Sequence, residues 1–225
     1  MNAKGALISV MCIAVVAMLA GAGTLAYFSD TETSTGNTFT AGTLDLKVQD
    51  WDELTWADGV TATWTMDDMK PGDETVMRFV KFDNFGSVDA DHLEITCDYF
   101  VEEESSQTES DTDPNTNEHP DWMAKNMTIT YMVYQNDVFN INCLTGINED
   151  TGEYRAVWEV NDTDGDGRKT LFDLKSDPLD DLPMPNGDDT KLKMRLKFNE
   201  TAGNDFQGDT FNLTMIFTLN QDGSQ

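Results

Sequence analysis

Residues 191–198, KLKMRLKF, alternate without a break: Leu192, Met194, Leu196 and Phe198 fall on one side, Lys191, Lys193, Arg195 and Lys197 on the other. A period of two suits a strand with one face in a core and one in water, and does not suit a helix. Thr210 to Leu219 repeats the pattern, with Phe211, Leu213, Met215, Phe217 and Leu219 inward. Seven more stretches read as strands: Thr43 to Gln49, Val60 to Met66, Glu74 to Phe82, His92 to Tyr99, Met127 to Tyr134, Val138 to Leu144 and Tyr154 to Val160. Turn signals separate them, namely KPGD from Lys70, NFGS from Asn84 and PNGD from Pro185. Helical turns are expected only at Pro120 to Lys125 and Leu171 to Lys175. The fold class is therefore all-β, an antiparallel sandwich or jelly roll. The basic stripe on Lys191, Lys193, Arg195 and Lys197 has three readings: edge protection, cross-strand pairing with carboxylates, or docking of an acidic neighbour.

The N-terminus has the layout of an export signal. Lys4 is the only charge before Asp30, Ala6 to Ala20 is apolar, and Thr24-Leu25-Ala26 fits small-x-small cleavage after Ala26. An uncleaved anchor is the alternative, because Gly5 to Ser29 is uncharged and long enough to span a bilayer. Cleavage by an export signal peptidase divides the chain into a signal peptide (1–26), an N-terminal segment (27–42) and one domain (43–225). With 42 acidic and 14 basic residues the net charge is -28, a surface that repels nucleic acid and anionic membrane. Membrane contact is expected only through the uncleaved precursor. Residues 102–118 hold no large apolar side chain and read as a mobile acidic loop. Cys12 leaves with the leader; Cys97 and Cys143 then form one disulfide in an exported protein, or stay as two buried thiols.

DTDGDGRKTLFD, residues 162–173, has the spacing of an EF-hand-type calcium loop. Asp162, Asp164 and Asp166 stand at positions one, three and five, Gly167 at six, the Arg168 carbonyl at seven, Thr170 at nine and Asp173 at twelve. Aspartate at twelve brings the match closer to a dockerin-type loop. Carboxylates about 5 Å apart repel by about 3 kcal/mol per pair at an effective dielectric of 20, and a hard cation removes that conflict. An acidic Gly-rich turn is the plainer reading. Asn126, Asn161, Asn199 and Asn212 head Asn-x-Ser/Thr sequons, and alternation points Asn212 outward. Enzyme signatures are absent: there is no HExxH, no GxSxG and no phosphate-cradling glycine loop, and His92 and His119 do not by themselves make a zinc site. The chain is expected not to be an enzyme.

AGTLAYFSDTETSTGNTFTAGTLDL, then MKPGD (69–73) and FDNFGSVDA (82–90), resembles the TasA/camelysin family of exported fibre-forming proteins, including archaeal bundling-pilus subunits. The resemblance is clear over roughly residues 15–95 and thins to strand pattern beyond. It implies a jelly-roll subunit that polymerises outside the cell, head to tail, by donor-strand complementation. Residues 27–38 would complete the sheet of the next subunit, anchored by Tyr27 and Phe28. A calcium-binding cell-surface or S-layer-associated adhesin is the alternative. Some camelysin-like proteins are classed as metallopeptidases, but no zinc ligand set is readable in this chain.

Overall fold

The computed structural model describes residues 29–33, 43–60, 63–64, 69–102, 117–185, 189–203, 206 and 208–221, with the backbone alone for 29–33. In chain order the strands are β1 (Ser29–Thr33), β2 (Leu46–Asp50), β3 (Arg78–Asn84), β4 (His92–Glu102), β5 (Met127–Gln135), β6 (Asn140–Asn142), β7 (Ile147–Asn148), β8 (Leu179–Pro183), β9 (Lys191–Phe198) and β10 (Thr210–Asn220). Two short helices, α1 (Pro120–Ala124) and α2 (Leu171–Ser176), and a 3-10 turn at Ala156–Trp158 lie between them. The strands form two antiparallel sheets, one ordered β1-β10-β4-β8 and the other β2-β3-β9-β5-β6-β7. Consecutive strands repeatedly cross from one sheet to the other, as an all-β sandwich requires.

The period-two residues build the core. Leu192, Met194, Leu196 and Phe198 of β9 are buried, as are Met215, Phe217 and Leu219 of β10. Between the sheets, the Phe82 ring meets Phe217 edge to face at 4.6 Å, and a buried ring of this kind contributes about 1.5 to 3 kcal/mol. The motifs that carry the family resemblance lock onto each other. Asn84 Oδ1 accepts from the amides of Asp45 (3.1 Å) and Gly86 (2.9 Å), and Ser87 N donates to Thr43 O at 2.9 Å. A Cβ at Gly86 would lie 1.9 Å from Thr43 O, so only glycine allows GTLDL and NFGS to pack together. In KPGD, Gly72 takes φ 94° behind Pro71, and Asp73 N closes the turn on Lys70 O at 2.9 Å.

Several expectations differ from the structure. β9 is an interior strand between β3 and β5, so its basic stripe does not guard an edge; Arg195 pairs with Glu74 at 3.0 Å and Lys197 pairs with Glu200. The predicted strand from Tyr154 to Val160 is one bridge at Tyr154 followed by the 3-10 turn, because Trp158 turns in to be buried and donates through Nε1 to Asp181 O at 2.7 Å. β7 and β8 were not legible, being short and, in β8, acidic. The predicted strand Val60 to Met66 is not a strand over its described residues, and most of the acidic loop lies outside the described residues. So do the cleavage site at Ala26 and the anchors Tyr27 and Phe28.

Candidate metal centres

The 162–173 segment wraps around two carboxylates. Asp162 Oδ1 accepts from the amides of Gly165 (2.8 Å) and Asp166 (3.1 Å), and its Oδ2 from Gly167 N (2.8 Å). Positive φ at Gly165 (75°) and Gly167 (83°) lets those amides turn inward. Asp173 is fully buried. Its Oδ1 accepts from Thr163 N and Oγ1, and its Oδ2 from Thr170 N and Oγ1, all at 2.7 to 2.8 Å. Thr170 is thereby the N-cap of α2 in a reciprocal capping box.

Of the expected ligands, the fold brings together carboxylate oxygens of Asp162, Asp164 and Asp173 within 4.8 Å of one another. Asp166 is not part of that group. Asp166 turns to its neighbour Arg168, whose Nε donates to Oδ2 at 2.9 Å, and the Thr170 hydroxyl is engaged in the cap. Asp164 lies 3.0 Å from Lys125 Nζ, and that hydrogen bond holds its carboxyl below the usual carboxylate range.

A second cluster lies on the outer face of the four-stranded sheet, around His92 at the start of β4. His92 Nε2 is 3.3 Å from Asp180 Oδ1 and 3.5 Å from Glu94 Oε1, and Nδ1 is 3.6 Å from Asp91 Oδ2. Asn220 of β10, opposite His92, donates through Nδ2 to Glu94 Oε1 at 2.6 Å. Asp181 completes the group and is ion-paired with Arg155. The sequence sets His92 aside because two scattered histidines do not by themselves make a zinc site, and Asp180 and Asp181 lie far from it along the chain.

The cysteines are not a bonded pair. Cys97 and Cys143 are separate buried thiols, with Cys97 Sγ donating to Leu171 O at 3.4 Å and Cys143 Sγ to Ile141 O at 3.8 Å. Cys97 belongs to β4 of one sheet and Cys143 follows β6 of the other, and alternation says only that each points inward, not that they face each other. Burial pushes both thiols up to about 12, which keeps them protonated and unreactive. Among the sequons, Asn126 and Asn199 hydrogen-bond to each other (Asn199 Nδ2 to Asn126 Oδ1, 3.0 Å), and Asn161 Nδ2 donates to Asp177 at 2.9 Å. The Asn212 amide nitrogen is buried rather than presented to solvent.

The fold and its side-chain clusters define an antiparallel all-β sandwich with two carboxylate groups that could hold a metal ion. The profile of the camelysin metallo-endopeptidase family matches residues 4–225, and the chain belongs to that family. It is thus a member of the TasA/camelysin group, whose proteins are exported or associated with the cell surface. No curated protein matches it. The family's description implies a metal ion. His92 with its carboxylates is the described group that combines imidazole and carboxylate donors, and its buried Nδ1 has no hydrogen-bond partner, so the residues fit such an ion.

Proposed function

We propose that this protein is the structural subunit of an extracellular filament, assembled head to tail by donor-strand complementation. The observation that carries the reading is the place of β1. Its five residues lie antiparallel along the outer edge of β10, from Ser29 opposite Asn220 to Thr33 opposite Ile216. β10 runs to Thr210, and among the described residues Thr210 to Met215 have no partner on that side. An edge that accepts an N-terminal strand from its own chain accepts the same strand from a neighbour, and exchange between identical subunits that does not close yields a filament. Residues 27–38 are the donor in this reading, and a role in biofilm matrix or cell–cell adhesion follows from filaments at the surface.

Calcium is the cation proposed for Asp162, Asp164 and Asp173, supported by their convergence and by the EF-hand-like amide contacts of Asp162. Its role there is to stiffen the loop ahead of α2. Electron microscopy of the exported protein, beside a variant lacking residues 27–38, tests the assembly. Filaments from the full chain and soluble folded subunits from the variant are expected; normal filaments from the variant would remove the donor-strand reading. The family's description favours a second reading, a metallo-endopeptidase. Cleavage of a denatured protein substrate that a chelator abolishes would support it, and metal-independent filaments without hydrolysis would not.

A further inference from the structure

We infer that His92, Glu94 and Asp180 form a zinc site on the outer face of the four-stranded sheet, with Asp91 as the group that orients the imidazole.

The site is made by a β-bulge. In the β4–β8 pairing Leu93 lies opposite Leu182 and Ile95 opposite Leu179, so one β4 residue, Glu94, faces two β8 residues, Asp180 and Asp181. In a regular strand, neighbouring residues point to opposite faces, and one of these two aspartates would enter the core. Here Leu179 and Leu182 are both fully buried, and Asp181 takes φ 55°, a left-handed conformation uncommon for a residue with a side chain. The extra residue places both carboxylates beside His92 and Glu94. Such backbone cost persists where the surroundings enforce it, and Asp181 is held by Arg155 on its carboxylate and by Trp158 on its carbonyl.

With the Asn220 amide, now 2.6 Å from Glu94 Oε1 and 3.5 Å from Nε2, turned aside, the donor geometry suits a metal better than hydrogen bonds. Nε2 to Asp180 Oδ1 at 3.3 Å and to Glu94 Oε1 at 3.5 Å exceed good N–H···O distances. They match the edge of a tetrahedron, about 3.3 to 3.4 Å for metal–ligand bonds of about 2.0 to 2.1 Å. All three ligand atoms lie within 4.8 Å of one another. The His92 side chain is only 3% exposed, and its Nδ1 is buried without a hydrogen-bond partner, although Asp91 Oδ2 stands 3.6 Å away. A zinc ion on Nε2 fixes the proton on Nδ1 and draws the ring onto Asp91, the carboxylate–histidine–metal arrangement that settles orientation and tautomer. The Nε2 side is favoured over the Nδ1 side because Asp181 already has Arg155, whereas no described Lys or Arg pairs with Glu94 or Asp180. Those two side chains are 40% and 28% exposed, which leaves access for the ion and room for a water as fourth ligand. Imidazole among the donors selects zinc over the calcium proposed at Asp162.

This inference is independent of the filament reading. Metal-free full-length protein is titrated with Zn2+ by calorimetry, while imidazole NMR resolves His92 from His119. One equivalent is expected, with the His92 signals shifted. His92→Gln should abolish it, and Glu94→Gln or Asp180→Asn should weaken it at least tenfold. Asp91→Asn should weaken it by about 10- to 100-fold at unchanged stoichiometry, and Asp162→Asn should leave it intact. Zinc binding that survives His92→Gln, shifts only His119, or yields to equimolar calcium overturns the site, as does no binding at micromolar zinc. Should His92→Gln fail to fold by circular dichroism, the Glu94→Gln/Asp180→Asn double variant decides, since both side chains reach solvent.

Discussion

The loop at residues 162–173 and the cluster around His92 are both carboxylate groups, held by opposite means. In the loop, oxygens of Asp162 and Asp173 accept seven hydrogen bonds from donors within eleven residues along the chain. Around His92, the groups come from β4, β8 and β10, and contacts of 3.3 to 3.6 Å leave an imidazole nitrogen without a partner. A locally satisfied cluster holds its shape without a cation. A cluster assembled across strands is held by the sheet and leaves donor capacity for a ligand to use.

Replacing Asp173 with Ala would break this contrast most severely. The loss strands buried donors of Thr163 and Thr170, and a cost of about 3 kcal/mol in urea unfolding is expected; a cost within 0.5 kcal/mol, the usual scale of a neutral surface change, would show that the loop is not self-supporting. Calcium comes next. At about 100 times its Kd it should add about 2.7 kcal/mol, seen as a higher Tm than in chelator at matched ionic strength, and equal Tm values would remove the ion from the loop. Thr170→Ala takes the N-cap from α2 and should cost about 1 kcal/mol by the same urea measurement.

The smallest effect separates the exposed side of the loop from its buried side. Asp164 is held below its usual range by Lys125, so its contribution is complete above the ordinary carboxylate value of 3.8 and disappears as pH falls through the lower folded value. As a surface pair it is worth about 0.5 kcal/mol, and Lys125→Met should flatten the acid limb of the stability–pH curve by that amount. Thiol labelling offers an independent check on the interior. Cys97 and Cys143 should both react after denaturation without reductant and neither before it, given thiols pushed up to about 12.

β9, and β10 from Met215 to Leu219, were legible because every second side chain is buried, and alternation records that residue by residue; Phe211 and Leu213 are only partly buried. The KPGD and NFGS turns were legible because glycine answers a backbone demand that few other residues meet. Tyr154 to Val160 misled because Trp158 is buried from a 3-10 turn, and an apolar residue looks alike in sequence whichever backbone delivers it. The two cysteines misled for a related reason: inward pointing is a property of one strand, while facing another sulfur is a property of two sheets.

By itself the sequence determined the all-β class, the inward face of β9 and the position of the 162–173 loop, because each depends on neighbours within a few residues. Tertiary structure alone decided that β9 is interior, that β1 lies on β10, that the cysteines stay apart and that His92 stands among four carboxylates. Those features depend on which strands become neighbours and on a single extra residue in β8, which turns two consecutive aspartates onto one face. No local pattern encodes them, since pairing is settled by the packing of the whole sandwich.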